Sequence, residues 1–145
     1  IEVQVTQHAP PHPDPFASLH FEIPDPFPLE PFMDWLEARE VAKAITDKRG
    51  NRTAAARVLG ITFRALRYRL EHPAVPEQRV FLEVIGQFPA RADLKLDDYL
   101  AAVEKYIITK LLTKTKYNRA ETARRFGITF RAMRYRLERL GMEEE

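Results

Sequence analysis

From residue 31 onward, apolar positions recur at the spacing of an α-helix. Phe32, Leu36, Val41 and Ile45, with Met33 and Ala44 beside them, mark one long amphipathic segment that runs to Asp47 or Lys48. Leu100, Val103, Ile107, Ile108 and Leu111 mark a second, predicted from Leu96 to Thr113, in which Asp97 and Asp98 suit the electropositive first turn of a helix. Between them His72-Pro73-Ala74-Val75-Pro76 breaks any continuing helix. The apolar run at 80–85 is short enough to be either a helix or a buried strand. Residues 1–5 and 19–23 alternate in a strand-like way. Seven prolines among residues 1–30 nevertheless make an extended tether the expected state of this segment.

The pattern also repeats itself. Residues 51–71 align without gaps on 118–138, an offset of 67, and 15 of the 21 positions are identical. Upstream, Glu37 matches Glu104 and Thr46 matches Thr113, while the rest has diverged. Solenoids need about three repeats to bury a continuous core. Two copies are therefore read as a duplicated small domain, with the function in the part that stayed the same.

That part has the grammar of two short helices joined by a tight turn. Asn51 is a good N-cap for the alanine-rich stretch that follows, and Gly60 can take the left-handed conformation that ends it. Ile61 plugs the corner, Thr62 is an N-cap for the next helix, and small Ala56 lets the two approach closely. The result is a helix-turn-helix, repeated with Asn118, Ala123, Gly127, Ile128 and Thr129. On its second helix Leu66 and Leu70 lie together, with Phe63 at their edge. Arg64, Ala65 and Tyr68 point away, flanked by Arg67 and Arg69; Arg131, Ala132 and Tyr135, flanked by Arg134 and Arg136, do so in the second copy. Such a face suits a DNA major groove. Arginine forks take guanine edges, small apolar groups meet thymine methyls, and flanking arginines neutralise phosphates. Phe63 and Phe130 are open between packing at the core edge and base contact. Tyr68 and Tyr135 are open between a phosphate hydrogen bond and packing on arginine stems.

Charge supports the same reading. The 145 residues carry a formal net charge of only +2, but residues 1–30 hold five acids and no Lys or Arg. Residues 31–71 hold nine basic and five acidic residues, and residues 96–145 hold eleven and eight. Two basic blocks behind an acidic lead-in point to a polyanionic partner. The absence of cysteine removes thiolate metal sites, disulfides and cysteine nucleophiles. None of the five glycines sits in a phosphate-cradling loop, and no nucleophile–base arrangement stands out, so no enzyme, cofactor or metal is expected. No apolar run reaches the roughly 18 residues of a membrane span, and a cytoplasmic location is expected. A start at Ile1 instead of Met is read as the mark of a fragment or a processed chain.

The run Gly-Asn-Arg-Thr-Ala-Ala-Ala-Arg-Val-Leu-Gly-Ile-Thr-Phe-Arg-Ala-Leu-Arg-Tyr-Arg-Leu at 50–70 resembles the Fis-type helix-turn-helix that ends the NtrC family of sigma-54-dependent activators. Its Phe-Arg-Ala-Leu/Met-Arg-Tyr-Arg-Leu wording is most similar to the branch that contains the pilus regulator PilR. Residues 98–141 match such a domain throughout; residues 31–71 lack only the closing Arg-Leu-Gly. The resemblance implies a bacterial, nucleoid-associated response regulator, whose first long helix pairs with that of a second domain and presents two recognition helices to a palindromic enhancer. It further implies that Asn51 and Thr53 hold phosphates, and Arg52, with Asn118 and Arg119 in the second copy, is counted among the DNA-binding residues. Thr62 to Arg69, and Thr129 to Arg136, would supply the reading helices. Members usually carry one such domain after a nucleotide-hydrolysing domain that acts on sigma-54 RNA polymerase; this chain has two and no Walker loop. Where Fis has an arginine just after the recognition N-cap, this chain has Phe63 and Phe130, and Ala120 replaces Thr53 in copy two.

The expected architecture is all-α: a proline-rich tether at 1–30, a first Fis-like domain at 31–71, a connector at 72–95 and a second domain at 96–145. The expected function is sequence-specific binding of double-stranded DNA at an inverted repeat, with the two copies pairing within a chain or in a homodimer. A DNA-bending protein of weak specificity and a protein-interaction module are the alternatives. His8, His12, Asp14 and His20 are read as linker histidines and a linker acid, not a metal site; Phe32 and Trp35 are read as packing residues.

Overall fold

A computed structural model of the chain describes residues 16, 19, 22–73 and 79–142. Most of the tether, including the histidines named above, lies outside these residues. Those described form seven helices and no strand: α1 (Leu29–Asp47), α2 (Arg52–Leu59), α3 (Phe63–Glu71), α4 (Arg79–Ile85), α5 (Leu96–Lys114), α6 (Arg119–Phe126) and α7 (Phe130–Arg139). None of them is long and apolar enough to cross a membrane. The all-α expectation and its two helix-turn-helix units hold, and the ambiguous run at 80–85 is helical, because Phe81, Val84 and Ile85 reach one core from one side.

Local chemistry sets each boundary. α1 and α5 both end in two residues of positive φ: Arg49 (54°) and Gly50 (84°) in copy one, Lys116 (58°) and Tyr117 (64°) in copy two. Gly50 N–H then reaches back to Ile45 O at 2.8 Å, and Tyr117 N–H to Leu112 O at 2.7 Å, which satisfies carbonyls at the helix end. The turn aims the chain into Asn51 or Asn118, whose Oδ1 accepts from Ala54 N–H (3.0 Å) or Glu121 N–H (2.9 Å).

The core divides into two clusters that interlock the copies. The larger joins Phe27, just before α1, and Leu29, Phe32 and Leu36 from the start of α1 to Tyr99, Val103, Ile107 and Leu111 of α5 and to Ala123, Phe126, Met133 and Leu137 of the second helix-turn-helix. The smaller joins Val41 and Ala44 of α1 to Ala55, Ala56, Leu59 and Leu66 of the first, and to Leu96 at the start of α5. Each long helix thus lays its C-terminal half on its own copy and its N-terminal end on the other. Backbone caps follow the same exchange. The carbonyls of Val58 and Arg125 occupy equivalent positions; Arg91 Nη1 caps the first at 3.1 Å and Phe27 N–H the second at 2.9 Å.

Ile23 and Phe27, which composition assigned to the tether, are buried, as is Phe16, whose ring meets those of Phe88, Tyr99 and Tyr106 edge-on at 5.2–6.3 Å. Proline restrains the backbone of this stretch but does not stop the side chains between prolines from packing. Phe32 is buried and Trp35 lies 5.7 Å from Phe81, so both are packing residues. Two carboxylates are buried among the described residues, Glu40 and Glu104; Glu40 pairs with Arg39 and, at 4.0 Å, with Arg91. Burial, and the Glu40 charge after it, pushes the Tyr99 phenol up to about 12 against the opposing pull of Arg39. Tyr99 therefore stays a donor, to Pro89 O at 2.8 Å.

Candidate nucleic-acid interface

The turn between the motif helices is the same in both copies. Gly60 (φ 74°) and Gly127 (φ 73°) close the first helix, and Ile61 N–H or Ile128 N–H returns to the carbonyl of Ala56 or Ala123. Thr62 Oγ1 then accepts from Ala65 N–H at 2.9 Å, and Thr129 Oγ1 from Ala132 N–H at 3.0 Å, which starts the second helix. Ala56 and Ala123 are buried at the crossing, as small residues there require.

Exposure settles which side of α3 and α7 is free. Phe63, Arg64, Arg67 and Tyr68 are exposed, and so are Phe130, Arg131, Arg134 and Tyr135; all four types are identical between the copies. Ala65 and Ala132 are half-buried. The two phenylalanines belong to neither core cluster, so their side chains stand on the exposed face. The tyrosine rings lean towards their helix ends: Tyr68 stacks on His72 with centroids 3.9 Å apart, and the Arg139 guanidinium lies 5.8 Å from the Tyr135 ring. His72 and Arg139 are themselves repeat equivalents.

Arg69 and Arg136 do not flank this face, and the expectation that they face phosphates is corrected. Each lies three residues beyond Leu66 or Met133 and so shares the inward side. Arg69 pairs with Glu37 and donates to Ala65 O at 3.3 Å. Arg136 pairs with the buried Glu104 and, at 2.9 Å, with Glu30, while Arg139 reaches Glu104 at 2.9 Å. Glu37 and Glu104, which match upstream where little else does, thereby lock the second helix of each motif to a long helix. With Asp34 they line an acidic cleft between α1, α5 and α7. There, burial raises the Asp34 carboxyl above its ordinary range, Glu37 and Glu30 add to the effect, and Arg136 opposes it.

At the start of the first motif helices, Asn51, Arg52, Thr53 and Asn118 are exposed and Arg119 is half-buried. Two positions here escaped sequence reasoning. Arg49 and Lys116 are exposed on the left-handed turns just before the caps, and Arg57 and Arg124 are exposed on the helices that follow. The signal was available: basic charge persists at both pairs across the 67-residue offset. Glu121 and Arg125, which replace Ala54 and Val58, are paired within the chain, Glu121 with the exposed Arg124 as well as with Arg125. Arg125 bonds Glu121 at 2.8 Å and Asp25 at 2.7 Å.

The profile of a family described as bacterial regulatory protein, Fis family, matches residues 32–72 and 99–140, over half of the chain. A curated relative, the response regulator protein PilR of Pseudomonas aeruginosa, is 48% identical over 48 residues, which cover 33% of this chain and 11% of that protein. The match thus spans about a tenth of the relative's length. No solved structure gives a significant match.

Proposed function

The chain belongs to the Fis family of bacterial regulatory proteins and carries its DNA-binding helix-turn-helix twice; on that premise we propose that it binds double-stranded DNA sequence-specifically to regulate transcription, with α3 and α7 in the major groove of an inverted-repeat site. The observation that carries the proposal is the exposed quartet of Phe, Arg, Arg and Tyr, identical on two helices of one chain and each started by a threonine cap. Helix-turn-helix proteins read bases with the N-terminal part of such a helix. Arg64 and Arg131 would take guanine edges; Asn51, Arg52, Thr53, Asn118 and Arg119, joined by Arg49 and Lys116, would hold phosphates. Because the substitutions Glu121 and Arg125 are paired within the chain, the two half-sites are expected to have the same bases and to differ only in backbone contacts.

The proposal includes α1 pairing with α5 inside one chain in solution, so that a monomer spans both half-sites. It also includes a cytoplasmic, non-enzymatic role that serves a nucleotide-hydrolysing partner acting on sigma-54 RNA polymerase. Titration of the chain against a duplex selected from a randomised pool, over a range of salt, tests the central claim. If about six phosphates are neutralised, log affinity falls with log salt at a slope near −5. Equal affinity for selected and random duplexes would favour a DNA-bending role, and salt-independent or absent binding would overturn the proposal.

A further inference from the structure

A hydrocarbon side chain exposed on a small protein is unremarkable alone, but the duplication supplies a comparison. The large apolar side chains exposed among the described residues are Val58, Phe63, Tyr68, Leu82, Tyr117, Phe130 and Tyr135. Val58 becomes Arg125 in the other copy, Tyr117 corresponds to Gly50, and Leu82 lies between the repeats. Only the phenylalanine pair and the tyrosine pair persist, and the tyrosines have a polar tip and a local ring or guanidinium partner. Phe63 and Phe130 have neither, and are 45% and 47% exposed. Each is the first residue of its reading helix, next to the threonine cap and to Arg64 or Arg131.

A phenyl ring offers no hydrogen bond, so it cannot read a base through donors or acceptors. The major groove displays one apolar group, the 5-methyl of thymine. We propose that Phe63 and Phe130 are specificity-determining residues that each cover the 5-methyl of one thymine, at the same place in each half-site, next to the base pair taken by Arg64 or Arg131. This rests on the DNA-binding reading above. It gives the exposed rings their apolar partner and assigns thymine recognition to the phenylalanines, not to the half-buried Ala65 and Ala132.

The test uses the full chain and the duplex selected from a randomised pool. Each half-site thymine is replaced in turn by deoxyuridine, which removes the methyl and leaves base pairing unchanged. Burial of one methyl is worth about 0.8 kcal/mol, or roughly fourfold in affinity. One thymine per half-site should show that loss with the wild-type chain. Because identical half-sites let the chain bind in either orientation, Phe63→Ala or Phe130→Ala alone should reduce the sensitivity at both half-sites and the double variant should abolish it, whereas Phe63→Leu should retain more of it than Phe63→Ala. A selected site without thymine in its half-sites, wild-type affinity indifferent to every replacement, or the same uridine penalty in wild type and alanine variants would overturn the inference. Those results leave salt-dependent binding of the selected duplex in place; loss of that binding would remove the DNA-binding reading as well. Both rings are exposed, so unchanged thermal unfolding of the variants verifies that the comparison is between folded proteins.

Discussion

The arginines of the reading helices divide by what they touch, and substitution should separate them. Arg64 and Arg131 are both exposed, and neither forms an ion pair among the described residues. Arg64→Ala or Arg131→Ala should therefore leave stability within about 0.5 kcal/mol of wild type and cost about 1–3 kcal/mol of specific binding, with preference relaxed at one base position. Arg136→Ala should instead cost roughly 3 kcal/mol of stability, because Glu104 is buried and loses its closest partner. Arg69→Ala should cost nearer 1 kcal/mol, since Glu37 keeps more access to water. Urea unfolding beside duplex titration distinguishes the classes. Asp34 gives the opposite sign. Its raised carboxyl pKa means that ionisation opposes folding above that pKa and that the penalty fades as pH falls through it, vanishing below the unfolded value near 3.8. Asp34→Asn should accordingly stabilise the chain at pH 7 and confer no advantage at pH 3. The gain should be small, because Asp34 stands at the exposed rim of its cleft.

Elements governed by neighbouring residues were legible in the sequence. The asparagine and threonine caps, the two left-handed glycines and both long helices stand within a residue or two of where spacing and capping put them. Matters settled at a distance were less so. A helical wheel built on Leu66 and Leu70 turned Arg69 outward, because nothing local announces a carboxylate 32 residues upstream; the matched Glu37 and Glu104 were the clue. Prolines described the backbone of residues 22–28 and hid the burial of Ile23 and Phe27. A seven-residue helix such as α4 exists through its packing, so periodicity alone could not name it. The glycine turns now provide a test of packing between elements. A Cβ at Gly127 would meet nothing within 4 Å, but one at Gly60 would lie 2.7 Å from Lys95 Cγ, at the start of α5. Both substitutions to alanine bear a backbone cost of about 1–2 kcal/mol. Gly60→Ala should cost more, and equal losses on urea unfolding would show that α5 does not press on the first copy.

At the scale of the whole molecule, the exchange of helix ends makes each copy dependent on the other. The start of α1 completes the core under α6 and α7, and Leu96 of α5 completes the core under α2 and α3. The same contacts formed between two chains would produce an exchanged dimer with four helix-turn-helix units, and symmetric oligomers are a common outcome. Two features favour one chain. Tethering holds α1 and α5 at an effective concentration on the order of millimolar, well above the micromolar range of a solution measurement. The connector is also built into the result: Phe81, Val84, Ile85 and Phe88 enter the larger cluster, and Arg91 grips Val58 O at 3.1 Å and Leu94 O at 2.7 Å. A connector so anchored would have to surrender those contacts to reach a second chain by another path. Light scattering at micromolar concentration should therefore give the monomer mass of 16.9 kDa, with one chain bound per selected inverted repeat. Twice that mass would reject pairing within the chain and leave DNA binding untouched. The stoichiometry then follows the mass, because a two-chain assembly would present a second pair of reading helices and take up a second duplex.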